Sequence, residues 1–176
     1  EVLFEDIPRD APVYPSKIVL TTKKDGVVET AKARLVVLGN LATSVYRRVF
    51  APTAHEKSLK ILLALSMIMG LSLCSIDIKG AFLYASMPQD QPTFVRLPKY
   101  YCREGHKPIY WKLNKSLYGL AESPRAFYDD CSTFLIEQGF IRTQADPCMF
   151  YRRDDRGLVL MVVHVDDFAV ASTTPE

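Results

Sequence analysis

Three aspartates are the residues of this chain best suited to chemistry. Asp166 and Asp167 are adjacent and interrupt an apolar run over residues 158–172, LVLMVVHVDDFAVAS. Asp77 ends a second apolar run and leads into Ile78-Lys79-Gly80-Ala81-Phe82. Aspartate is also a common turn residue, and Asp77 would serve equally to cap the turn that follows it. The company of the pair argues for more than a turn. Its flanking segments are apolar enough to be buried on both faces, so the two carboxylates fall at the end of a core element, where they repel each other and call for a cation. Asp154-Asp155 is an internal contrast: it lies in the charged turn Arg153-Asp154-Asp155-Arg156-Gly157, and no chemistry is assigned to it. Cys102 and His106 form a possible ligand pair, but no second pair completes a zinc site. With Cys74, Cys131 and Cys148, Cys102 reads as a reduced core residue rather than part of a disulfide framework.

The elements that must position these aspartates follow from periodicity and punctuation. Residues 158–165 and 168–172 read as two strands of a hairpin with Asp166 and Asp167 at its turn. Residues 71–78 read as a buried strand delivering Asp77. Before it, Thr53-Ala54-His55-Glu56 has the pattern of a capping box, and Leu59, Ile61, Leu62, Leu63, Leu65 and Ile68 make the following helix apolar on a wide face, up to Gly70. Such a helix should pack on a sheet, with His55, Lys57 and Lys60 at the surface. Ser123-Pro124 opens a second helix that runs to Gln138 and stops at Gly139, with Phe127, Cys131, Phe134 and Leu135 as its core stripe and Asp129 and Asp130 on its solvated face. Residues 93–97 and 108–113 read as paired strands beyond a loop at residues 88–92, with Trp111 in the core, and residues 146–151 as a further short strand.

Towards the amino terminus, Pro8, Pro12 and Pro15 favour an extended lead-in with little order before Ser16. A hairpin follows, turning at Lys23-Lys24-Asp25-Gly26 and returning through Arg34-Leu35-Val36-Val37-Leu38. It carries Lys17, Lys23, Lys24, Lys32 and Arg34, with Arg47 and Arg48 soon after. That cluster is either a solvated charged face or a surface for phosphates.

Of the 176 residues, 48% are hydrophobic and 24% charged, which suits one folded domain with a sizeable core rather than a disordered segment. The net charge of +2 excludes a uniformly basic nucleic-acid binder and leaves only local positive clusters. No apolar run approaches the ~18 residues of a membrane span and no signal peptide is present, so an intracellular location and no membrane partner are expected. The chain begins at Glu1 and ends just past the hairpin, and it reads as a fragment.

Six short strings occur in order: KARLV at residues 32–36, FAP at 50–52, DIKGAFL at 77–83, SLYGLAESPR at 116–125, ADPC at 145–148 and VDD at 165–167. Together they resemble the reverse transcriptase of Ty1/copia-type LTR retrotransposon polyproteins, over residues 17–172. The resemblance implies an α+β fold, a reverse-transcriptase-like palm (an antiparallel sheet backed by helices) with a small fingers subdomain, the two together over residues 16–176 after an extended lead-in at residues 1–15, and the family's thumb is expected to be absent. It implies an RNA-directed DNA polymerase that joins a primer 3′-hydroxyl to the α-phosphate of a dNTP with the help of two Mg2+ ions, Mn2+ being an alternative. Asp77 and Asp166 would hold both metals, with Asp167 assisting. Gly80 and Ala81 would approach the triphosphate, Phe82 would be the steric gate against a ribose 2′-hydroxyl, and Arg34 with Lys32, or one of Lys23 and Lys24, would grip the triphosphate. Tyr118 and Gly119 would lie beneath the templating pair, with His164 and Val165 near the primer end.

The chain departs from the family at His164, where tyrosine is usual, and after Val37, where a Gly-rich, acidic continuation is usual. Implied partners are an RNA template, a DNA primer, dNTPs and the integrase and RNase H regions of the same polyprotein, in a cytoplasmic virus-like particle. Two other readings stand beside this one: a degenerate retroelement fragment that binds nucleic acid at most, and another palm-type two-metal nucleotidyltransferase.

Overall fold

The computed structural model describes residues 1–25, 28–41, 49–87, 90–101 and 107–173. Arg47, Arg48, Gly26, Pro88 and the Cys102–His106 pair lie outside the described residues. The regular elements run β1 (Val13–Asp25), β2 (Val28–Val37), α1 (Glu56–Met69), β3 (Ser72–Asp77), β4 (Phe94–Arg96), β5 (Tyr110–Lys112), α2 (Ser123–Glu137), β6 (Ile141–Arg142), β7 (Met149–Asp154), β8 (Gly157–His164) and β9 (Asp167–Ser172). The fold is α+β. One sheet has the order β2-β1-β4-β5 and the other β3-β9-β8-β7-β6. The chain divides into two compact units, one of residues 1–49 and 82–127, the other of residues 50–81 and 128–176.

The first unit is built on the long β1–β2 ribbon, whose antiparallel register pairs Lys17 with Val36, Val19 with Arg34, Thr21 with Lys32 and Lys23 with Thr30. Directly opposed residues of an antiparallel pair share a face, and successive residues alternate. Lys17, Lys23, Lys32 and Arg34 therefore share one face of the ribbon, while Ile18, Leu20, Ala31, Ala33 and Leu35 occupy the other. Order begins earlier than Ser16: Val13, Tyr14 and Pro15 pair in parallel with β4, and Val2 bridges to Tyr110. Tyr14 belongs to a core cluster with Val37, Met87, Val95 and Leu120. The prolines were no obstacle, because Pro15 needs no donor of its own when its carbonyl accepts from the Leu38 N–H at 2.8 Å. The expected β4–β5 pairing is present, but Trp111 is 38% exposed and lies outside the core clusters.

In the second unit the inner strand β8 is buried on both faces, as its composition required. Its residues alternate between two clusters: Leu160 and Val162 join Leu62, Leu71 and Ala171, whereas Met161 and Val163 join Leu135, Phe150, Phe168 and Val170. Leu62 comes from α1 and Leu135 from α2, so a helix backs each face of the sheet. Complete burial of Leu62 contributes about 1.5–3 kcal/mol.

Several expectations are corrected here. α1 starts at Glu56 with His55 as its N-cap, and no side-chain cap bond comes from the local sequence. Its buried stripe is Ser58, Leu62 and Ser66, and Leu59, Ile61, Leu63 and Ile68 are exposed. The small serines let the helix sit close to the sheet, which leaves the larger apolar residues on its flanks. β3 is exposed along its whole length rather than buried, because it ends the sheet next to β9 while α1 packs on β8 and β9. Cys74 is exposed with it, whereas Cys131 is half-buried and Cys148 buried. On α2 the stripe is Phe127, Tyr128, Cys131 and Leu135, and Phe134 faces outward.

Candidate active site

The two strands that bring the aspartates together do so by register. Asp77 at the end of β3 lies directly opposite Asp167 at the start of β9, and His164 at the end of β8 lies opposite Asp167 from the other side. Opposed residues in such pairs have Cα atoms about 4.5–5.5 Å apart with side chains on a common face. His164, Asp167 and Asp77 thus form a row across three strands. The backbone joins Asp166 to the same end of the sheet, since the Ile78 N–H donates to the Asp166 carbonyl at 3.2 Å.

The hairpin turn is one residue earlier than the sequence suggested. Val165 and Asp166 are its two central residues and Asp167 is already strand. Val165 has φ 59°, the sole positive value among the described non-glycine residues. A β-branched residue in the left-handed region is a steric outlier, costing about 1–3 kcal/mol. Its sign is that of the first central position of a type II′ hairpin turn, where glycine is usual.

A cleft of about 490 Å³ opens on the α1 side of this row, lined by Ala54, His55, Glu56, Leu59, Ser75 and Val162 together with His164, Asp167, Phe168 and Ala169. Among the described residues no three His, Cys, Asp or Glu side chains stand together as a group that could hold a metal ion. Carboxylates are the ligand type Mg2+ takes, one or two at a time, with its remaining positions filled by water and substrate phosphates. Gly80 has φ 70° and lies in the turn where the Ala81 N–H donates to the Ile78 carbonyl.

The remaining candidates form a second group, in the first unit. The Phe82 ring meets Tyr118 edge-on, with centroids 5.5 Å apart, and Phe127 at 6.3 Å. The Arg34 guanidinium lies over the Tyr118 ring, 5.8 Å from its centroid. Lys32 is exposed two residues along the same ribbon face. Arg34, Tyr118 and Phe82 are thus in contact, whereas Asp77, Asp166, Asp167, His164, Val165, Gly80 and Ala81 belong to the other unit.

A family model described as reverse transcriptase (RNA-dependent DNA polymerase) matches residues 3–175. The chain belongs to this reverse transcriptase family. It is 29% identical over 170 residues to the retrovirus-related Pol polyprotein from transposon TNT 1-94 of Nicotiana tabacum, covering 94% of this chain and 13% of that protein. It is 30% identical over 175 residues to the Pol polyprotein from transposon RE1 of Arabidopsis thaliana, covering 93% and 12%. Against the Ty1-MR1 Gag-Pol polyprotein of Saccharomyces cerevisiae it is 28% identical over 163 residues, covering 91% and 9%. The chain therefore matches Ty1/copia-type retrotransposon polyproteins, as its six strings indicated, and spans about an eighth of the length of the first two. Among the described residues no helix is long and apolar enough to cross a membrane.

Sequence reasoning missed Asp146. The residue is 2% exposed and accepts hydrogen bonds from the His55 N–H at 2.9 Å, the Ser58 hydroxyl at 2.5 Å and the Cys148 N–H at 2.8 Å. It anchors the start of α1 from 91 residues away, accepting from the backbone N–H of the N-cap residue. Burial pushes its carboxyl up, but the bonds from Ser58, Cys148 and His55, with the charge of His55, outweigh this and hold it below the ordinary 3.8. The signal was present in the ADPC string, which carried the family resemblance but no physical reading of its own. Asp154, by contrast, is tied within its turn by the Arg156 N–H and by ion pairs to Arg156 and Arg152.

Proposed function

We propose that this chain is the fingers and palm portion of an RNA-directed DNA polymerase, with residues 16–176 as that portion and residues 1–15 leading into it. The observation that carries the reading is the β3–β9 register, which sets Asp77 against Asp167 and, through Ile78, beside Asp166. In this reading Asp77, Asp166 and Asp167 hold two Mg2+ ions, or Mn2+ in their place. When bound, the metals stabilise the attacking and leaving oxygens of an in-line displacement at phosphorus.

The chain's own residues bind and orient. The left-handed Val165 turns Asp166 to the end of the sheet, and His164 stands beside Asp167 where the primer terminus would lie. Gly80 and Ala81 bring bare backbone towards the triphosphate. Arg34 and Lys32 meet its charge, and the arginine fork suits phosphate oxygens. Phe82 meets the sugar and excludes a 2′-hydroxyl, while Tyr118 and Gly119 lie under the templating pair. The RNA template, DNA primer and dNTPs are the substrates. Integrase and RNase H regions of one Pol polyprotein are its neighbours, in a cytoplasmic virus-like particle.

The test is extension of a DNA primer on an RNA template by the Pol polyprotein containing this chain. Mg2+-dependent synthesis that Asp166→Asn reduces by at least about 10³-fold supports the reading. Synthesis unchanged in Asp166→Asn, or no synthesis by the wild type, refutes it. Nucleic-acid binding without synthesis would instead mark a degenerate fragment.

A further inference from the structure

Tyr118 is held more firmly than an ordinary loop residue. Its carbonyl accepts from the Val37 N–H at 2.7 Å, three residues beyond Arg34 on the same strand. Gly119, with φ 91°, fits so closely that a Cβ there would stand 2.0 Å from the Val37 carbonyl oxygen and 2.8 Å from Val36 Cγ1. Gly39 presses on the other side, where an added Cβ would lie 2.3 Å from the Gly119 carbonyl oxygen. The backbone at Tyr118 is thus locked to the end of β2. Its half-buried ring then presents one surface to the Arg34 guanidinium and meets the Phe82 ring edge-on. Phe127, which is buried, backs Phe82 at 6.3 Å.

An aromatic face attracts a cation through its quadrupole, and edge-on ring pairs are favoured over face-to-face stacking for the same reason. Both contacts need the Tyr118 ring, and neither uses its hydroxyl. We propose that Tyr118 is a positioning residue that holds Arg34 and Phe82 together and so couples triphosphate binding to discrimination between deoxyribose and ribose. The proposal rests on the reading above, in which Arg34 meets the triphosphate and Phe82 the sugar. A Phe82 ring propped by both Tyr118 and Phe127 cannot swing aside to admit a 2′-hydroxyl. Without the Tyr118 ring it gains that freedom, and Arg34 loses its platform at the same time.

The experiment measures kcat and KM for dCTP and for CTP on an RNA template, using the Pol polyprotein with Tyr118→Phe, Tyr118→Leu and pentafluorophenylalanine at position 118. The fluorinated ring keeps its shape and reverses its quadrupole, so it reports on the contacts even where Leu fails to fold. Tyr118→Phe is expected to keep the wild-type dCTP-over-CTP preference. Tyr118→Leu and the fluorinated ring are expected to lower the dCTP-over-CTP preference on the order of 10-fold and to raise the dCTP KM several-fold with a smaller change in kcat. In a Phe82→Ala background, Tyr118→Leu should change the preference no further, because the ring it props is gone. If the wild type synthesises DNA but neither substitution alters the preference, the polymerase reading stands and the positioning role is overturned. If the preference falls equally in Tyr118→Phe, the hydroxyl is responsible and the ring contacts are not. If the wild type makes no DNA, the polymerase reading fails and this role fails with it.

Discussion

Removing the Asp146 carboxylate should cost the second unit more than any surface charge. In Asp146→Ala the His55 N–H, the Ser58 hydroxyl and the Cys148 N–H all lose their acceptor. An orphaned buried donor costs about 1–3 kcal/mol. The Ser58 and Cys148 groups are buried, while the His55 amide at the helix start can take up water, so two donors set the scale at about 2–6 kcal/mol. Asp146→Asn keeps one carbonyl oxygen for the Cys148 N–H and an amide that can donate to the Ser58 oxygen. It loses the charge and the His55 bond, and about 1–2 kcal/mol is expected.

Urea unfolding followed by circular dichroism measures both differences. The acid limb adds a second reading. Because the native carboxyl is held below 3.8, its contribution to stability is complete above the unfolded value and disappears as pH falls through the lower, native one. The wild type should therefore lose part of its advantage over Asp146→Ala below about pH 4. An Ala variant within about 0.5 kcal/mol of the wild type at pH 7, or an Asn variant as damaging as Ala, would refute the anchoring argument.

Three other perturbations follow from the geometry. Val165→Gly should relieve the left-handed strain at φ 59° and, after the entropy cost of glycine, raise stability by about 1 kcal/mol in thermal unfolding. Gly119→Ala should destabilise by at least about 3 kcal/mol in the same assay, because its Cβ has no room against the Val37 carbonyl. In site-resolved iodoacetamide labelling at pH 8, exposed Cys74 should react well before Cys131 and Cys148, whose thiols burial pushes up to about 11.

What could be read from the sequence was whatever depended on local pattern. The β8–β9 hairpin was legible because an apolar run that long without alternation must be buried on both faces, and α2 because Ser123-Pro124 and Gly139 punctuate it at both ends. Errors arose where a distant element decides. β3 has a core-like composition, and its exposure comes from being the last strand beside β9. The capping box at Thr53 was a plausible local pattern, displaced by a carboxylate from the β7 turn. The hairpin turn was placed one residue late because a β-branched valine is the last residue expected at positive φ. Register alone then brought Asp77 against Asp167, and no single-strand pattern shows register between strands so far apart in sequence.

The most direct test of the aspartate site is its response to a paramagnetic ion. Mn2+ added with a dNTP to the chain should broaden the amide signals of residues 77–80 and 164–168, and Asp77→Asn with Asp166→Asn should abolish the effect. Asp154 and Asp155, engaged by arginines or exposed in their turn, should be little affected. Broadening centred on Asp154 and Asp155 instead, or unchanged by the double substitution, would contradict the assignment of the metals to Asp77, Asp166 and Asp167.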